Sequence, residues 1–116
     1  MVALAAYAVL KDVGAGCLET LRDIDIIGRL GGEEFAVLLP GVSGDGAVQA
    51  GERLRVILSR RAIPIRPDED VYLTVSVGVA VRSGTEDNIA AMMKRADKAM
   101  YVAKGVGRNC VRLADQ

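Results

Sequence analysis

"IIGRLGGEEFAVLLP", residues 26–40, sets two short apolar runs on either side of Gly31-Gly32. Two glycines between β-prone runs predict a hairpin, because both central positions of a type I′ turn take positive φ. Pro40 and Gly41 close the second run. Just ahead of the hairpin, "RDID" at 22–25 spaces Arg22 and Asp25 three apart, and just after the glycines stand two carboxylates, Glu33 and Glu34. Consecutive strand residues point to opposite faces, so Glu33 and Glu34 cannot work as a close pair. A solvent-facing hairpin needs neither feature: solubility alone explains the glutamates, and an Arg–Asp surface pair is worth under about 1 kcal/mol.

Working outward, residues 3–21 predict a helix in which Leu10, Val13, Cys17 and Leu21 share one face. Gly14 and Gly16 weaken it by about 1 kcal/mol each relative to Ala. Ser43 is a candidate N-cap for a helix to about Arg61, with Ala47, Ala50, Leu54 and Leu58 inward. "AIPIRPDED", 62–70, reads as a polar, proline-marked turn, and "VYLTVSVGVAV", 71–81, as a strand with Val75, Val77 and Val79 on one face. "DNIAAMMKRADKAMYVAK", 87–104, predicts a helix burying Ile89, Met92, Met93, Ala96, Met100 and Ala103, with Gly105 as its C-cap glycine and "NCVRL" as a short last strand. Helix, hairpin, helix, strand, helix, strand describes an α/β sandwich with an antiparallel hairpin at its centre. A ferredoxin-like βαββαβ plan needs one more strand before residue 3, and the helical reading leaves no room for it.

Composition narrows the chemistry. At 116 residues the chain is one domain or part of one, and 51% hydrophobic content with no Trp and a single Phe gives an aliphatic core. Fifteen basic and fifteen acidic residues cancel, so no global positive field recruits a nucleic acid polymer. The absence of histidine excludes Ser-His and Cys-His triads and His-based zinc sites. Cys17 and Cys110 sit outside metal-ligand spacing, which fits a reducing cytoplasm better than a disulfide framework. No run is long enough for a membrane span, and "MVALAAYAVL" lacks the basic flank of a signal peptide.

Three blocks together resemble one family. "GGEEF" at 31–35, "LTVSVGVA" at 73–80 and "RADKAMYVAKGVGRN" at 95–109 are similar, in order and spacing, to the GGDEF domains of bacterial diguanylate cyclases. The resemblance implies a fold like that of nucleotidyl cyclases and condensation of two GTP molecules into cyclic di-GMP, with Mg²⁺ clamping the transferring phosphate. It implies Glu33 as metal ligand and catalytic residue with Glu34 beside it. Gly31 and Gly32 would admit the nucleotide, and Lys104 and Arg108 would bind its triphosphate. A cation near a helix C-terminus is also favoured by the dipole alone, which would explain Lys104 without a ligand. Arg22 and Asp25 match the family's inhibitory RxxD motif, and Arg53 its second arginine. The chemistry suits cyclic di-GMP: an arginine fork donates to the O6/N7 edge of guanine, and a carboxylate accepts from N1 and N2.

The resemblance also marks what is missing. The family opens with a strand carrying a metal-binding Asp, followed by guanine-binding residues in an H-x-x-G-D-x-V-L segment. Here Val9 and Leu10 fit that segment, while Ala3, Ala6 and Tyr7 stand at its His, Gly and Asp positions. Residues 1–116 therefore read as a single, partial GGDEF domain lacking its first strand, with Mg²⁺ binding weakened or lost. The expectation is a chain that synthesises little or nothing, because phosphoryl transfer rests on positioning and electrostatics, yet still binds its product at Arg22, Asp25 and Arg53. Two alternatives stand beside it. A full-length parent, with a sensory or receiver domain, would be an active cyclase on GTP. A structural module would instead dimerise, without dependence on ligand, through the edge the missing strand exposes, whereas product binding would go with a homodimer crosslinked by the ligand.

Overall fold

A computed structural model describes residues 2–7, 21–29, 34–72 and 74–115, with the backbone alone for 2–7, 29, 63–65 and 71. The chain order is β1 (Val2–Tyr7), β2 (Ile26–Arg29), β3 (Glu34–Leu39), α1 (Gly44–Arg60), β4 (Ile63–Arg66), β5 (Glu69–Val71), β6 (Ser76–Val81), α2 (Ile89–Gly105) and β7 (Val111–Leu113). One sheet runs β2-β3-β1-β6-β7, and β4-β5 form a separate antiparallel ribbon. All pairings of the larger sheet are antiparallel except β6 with β7.

Two helices among the described residues cover opposite faces of this sheet. Strand alternation sends Val37, Leu39, Val77 and Val79 to one face, where they join Ala47, Ala50, Leu54 and Leu58 of α1. Ala80 faces the other way and packs with Met92, Ala96 and Met100 of α2, with Leu38 and Ala114 beside them. β6 is thus buried on both faces, as its near-continuous apolar sequence requires. Gly78 makes the closest approach possible, because a Cβ there would overlap the Ala96 carbonyl oxygen of α2. Capping fixes where both helices start. The Ser43 hydroxyl accepts from the Gly46 N–H at 3.2 Å, and the Asn88 side chain from the Ala91 N–H at 2.8 Å.

The α/β sandwich expected from the sequence is present, with five differences. Residues 2–7 are strand and not the start of a helix; β1 lies between β3 and β6 and pairs with both. A short run apolar on every residue suits a strand covered from both sides as well as it suits a helix, and periodicity alone cannot separate the two. The sheet therefore has no gap where the first strand was expected to be missing, and dimerisation through such a gap loses its basis. Leu21 of the expected helix lies in a bend just before β2, while Leu10, Val13, Gly14, Gly16 and Cys17 lie outside the described residues. The β2–β3 hairpin forms one margin of the sheet and not its centre. "AIPIRPDED" is not a plain turn but most of the β4–β5 ribbon, and the paired part of the next strand begins at Ser76.

The last two differences concern α2. Ile89, expected to be buried, is 49% exposed at the first residue of the helix. Gly105 is the last helical residue, and the C′ position belongs to Gly107 with φ +125°. The Arg108 N–H reaches back to the Ala103 carbonyl at 3.0 Å, a bond of the Schellman type that closes the helix two residues later than the first glycine suggests.

Candidate functional site

The two groups of candidate residues fall at opposite ends of the hairpin. Ile26 pairs with Leu38 and Arg29 with Phe35, so residues 22–25 sit beside the end of β3, while the turn sits at its start. A six-residue strand separates them by roughly 20 Å.

At the turn end, Gly31, Gly32 and Glu33 lie outside the described residues. Glu34 opens β3, half-buried, opposite Tyr7 of β1, and Tyr7 is opposite Ser76 of β6. One step inward, Phe35, Ala6, Val77 and Val111 form a row across four strands. The connection from α2 into β7 therefore arrives at the same end as Glu34, bringing the backbone around Lys104 and Arg108 to that end. Arg108 is exposed and takes φ +62°, followed by Asn109 at φ +45°. Two successive non-glycine residues in the left-handed region cost energy unless their surroundings hold them. Arg55 of α1 does part of this. Its guanidinium is held by Glu52 at 2.8 Å and donates to the Asn109 side-chain oxygen at 3.1 Å.

Mg²⁺ finds little at this end among the described residues. No group of three or more acidic, Cys or His side chains could hold an ion there. β1, the strand next to β3, reads Val-Ala-Leu-Ala-Ala-Tyr and contributes no carboxylate. Mg²⁺ needs at least one or two carboxylates beside the phosphates it clamps. The described residues do not make such a site.

At the other end the sequence candidates converge. Arg22, Asp25 and Arg53 line one cavity of about 250 Å³, together with Leu21, Val42, Gly46, Gln49, Ala50 and Leu54. Asp25 carries a carboxylate only 3% exposed, gripped by Arg22 through Nη2 at 2.7 Å and Nε at 3.1 Å. The Arg22 backbone N–H adds a third bond at 2.8 Å. Burial alone would raise the Asp25 pKa. Hydrogen bonds from the Arg22 side chain and backbone, and the Arg22 charge, outweigh it and hold the carboxyl below 3.8. The same hydrogen bond strengthens the hold of Arg22 on its proton. Arg22 is also anchored to the hairpin, since Nη2 donates to the Pro40 carbonyl at 2.8 Å.

Gln49 was not anticipated among the candidates, although a signal existed. Counting back from Arg53 along α1, positions 50, 49 and 46 recur at helical spacing and face the same cavity. A second strong pair has a structural task. Arg95 of α2 grips Asp87 at 2.6 Å and donates to the Val81 carbonyl at 2.9 Å, tying the loop after β6 to the helix. With the Ser83 N–H also bonded to it, the Asp87 carboxyl is held far below the usual carboxylate range.

Comparison with known proteins agrees with this arrangement. The family model described as "Diguanylate cyclase, GGDEF domain" matches residues 5–110. YhcK of Bacillus subtilis is 36% identical over 108 residues, 93% of this chain but 30% of YhcK. The diguanylate cyclase DgcP of Pseudomonas aeruginosa is 39% identical over 112 residues, 96% of this chain and 16% of its own length. The chain thus spans under a third of the curated relatives it matches. Among solved structures, the GGDEF domain of DgcB from Caulobacter crescentus, crystallised in complex with c-di-GMP, superimposes with a TM-score of 0.88 at 27% identity, over 99% of this chain and 78% of that one. The family match takes in both ends of the hairpin and both covering helices, and the chain belongs to the GGDEF-domain family of diguanylate cyclases.

Proposed function

We propose that this chain is a receptor for cyclic di-GMP, binding it at the Arg22–Asp25–Arg53 cavity, and that it synthesises little or none. The observation that carries this reading is the convergence of those three side chains on one cavity from two separate segments. One guanine fits the chemistry of the cavity. Asp25 accepts from N1 and N2, and the arginine forks donate to O6, N7 or a phosphate. The remainder of the dinucleotide would lie outside, where a second domain can grip it. In the free protein Arg22 spends its Nε and Nη2 donors on Asp25 and Pro40. Nη1 has no partner among the described residues and is the donor free to meet the ligand first.

The test is calorimetry with cyclic di-GMP on the wild type, Arg22→Ala and Asp25→Ala. Each substitution should weaken binding by at least about tenfold, or 1.4 kcal/mol. Undiminished affinity in both variants would remove this site from consideration.

A second reading concerns a longer parent. Glu34 and the backbone around Lys104 and Arg108 share one end of the sheet, which favours a GTP half-site with Glu33, Gly31 and Gly32 once further carboxylates are supplied. Such a parent would be a cytoplasmic cyclase acting as a homodimer, controlled by a sensory or receiver domain. No helix among the described residues is long and apolar enough to cross a membrane.

A further inference from the structure

β7 ends the sheet and pairs on one side only. The Cys110 carbonyl accepts from the Val77 N–H at 3.0 Å, and the Ala114 N–H donates to the Val79 carbonyl at 2.7 Å. Alternation along the strand then turns the backbone groups of Val111 and Leu113 away from β6. No strand among the described residues receives them. An unpaired edge is a template for another chain, and proteins usually blunt or cover it.

The two flanks of this edge differ in chemistry. On the α2 side a cavity of about 530 Å³ opens between helix and strand, with Ala99, Val102 and Ala114 in its walls. Lys98 from the helix and Arg112 from the strand also line it. Both are exposed, and neither forms an ion pair or hydrogen bond among the described residues. Arg95, in the same wall, is committed to Asp87, and Asp115 is the only carboxylate lining the cavity. On the α1 side, Val111 packs against the Gly51 backbone. Leu113, two residues on, shares that face and is 49% exposed.

We propose that this margin is a strand-addition site for an extended segment of a partner protein. Its side chains alternate, acidic toward Lys98 and Arg112, apolar toward Leu113. The main chain of the segment bonds the outward groups of Val111 and Leu113, and its alternation supplies specificity. A single cation on an edge strand is the ordinary device against pairing and would account for Arg112 alone. It does not account for a second unpaired cation delivered by α2 across a cavity with apolar walls. The family match stops at residue 110, one residue before β7, so the edge strand with Arg112 and Leu113 lies outside it, while Lys98 lies within it.

Fluorescence anisotropy with labelled, end-blocked heptapeptides tests the proposal. One alternates Glu and Val, one has the same composition in two blocks, and one alternates Lys and Val. The alternating acidic peptide should bind at least about tenfold tighter than either of the others. The double variant Lys98→Glu, Arg112→Glu should abolish that preference. Leu113→Pro should also lose about tenfold, because it deletes an outward N–H and leaves the bonds of Arg112 and Ala114 to β6 in place. Should Leu113→Pro fail to fold, the charge-reversed variant decides, since both of its positions are exposed. Equal affinity for the alternating and block peptides, or undiminished binding by the charge-reversed protein, would overturn the proposal.

Discussion

Asp25 joins a buried ion pair to the cavity proposed for the ligand. Its carboxylate is almost fully buried and is satisfied by Arg22 from side chain and backbone together. Because the folded pKa lies below the ordinary 3.8, the pair contributes stability that is fully present above that value. It is lost as pH falls through the folded pKa. Thermal melting of wild type and Asp25→Asn should therefore differ by a constant margin from about pH 7 to about pH 5, and the margin should shrink only as pH falls below about 4 and through the folded pKa. A margin that persists at the acid end would mean that the carboxylate charge plays no part in the fold. The pairing of Arg22 with Asp25 was legible as a spacing in the sequence. That the pair would be a buried, three-bond clasp anchored on Pro40 was not, because the Pro40 carbonyl reaches Arg22 only once the hairpin has closed.

Among the elements, α1 and β6 make the sharpest predictions. The cap at Ser43 is a single side-chain bond to Gly46, and Gly46 lines the Arg22 cavity. Ser43→Ala should cost about 1 kcal/mol in urea denaturation with an unchanged m-value. At Gly78 an added methyl collides with the backbone of α2, which no rotamer change relieves. Gly78→Ala should cost about 3 kcal/mol or more, while Gly28→Ala, with open space around its Cβ, should stay within about 0.5 kcal/mol. Comparable losses at the two glycines would refute the close approach of β6 and α2. Helix α1 was readable from its cap and periodicity, α2 from its periodicity, and β6 from its alternation. Residues 2–7 were misread because Val-Ala-Leu-Ala-Ala-Tyr carries no polar residue to betray a period, so only its neighbours decide its form. The ribbon at 63–71 was missed because its prolines and charges resemble a loop, and the pairing partner lies within the same short stretch.

At the scale of the whole molecule, the sheet separates the two groups of candidate residues. The end that bears Arg22, Asp25 and Arg53 is assembled from described side chains. The other end has Glu34 opposite a strand without carboxylates and, among the described residues, no acidic cluster for a metal. The purified 116-residue chain, given GTP and Mg²⁺, should form no cyclic di-GMP above background by ion-pair chromatography. Sustained product formation would show that a metal site exists without a carboxylate from β1. Product binding should survive in the same preparation, since the two ends are about the length of β3 apart.

Sequence alone determined the family, the hairpin, the two long helices and the residues worth testing. These follow from local spacing, caps and periodicity, which act over a few residues and leave their mark in the chain order. Tertiary structure decided that residues 2–7 would be a strand inside the sheet and that the hairpin would be its margin. It also decided that Gly107 would close α2, and that Arg22 and Arg53 would meet. Each of these depends on contacts between segments far apart in the chain. A local pattern cannot encode which of two equally apolar surroundings a short run will find.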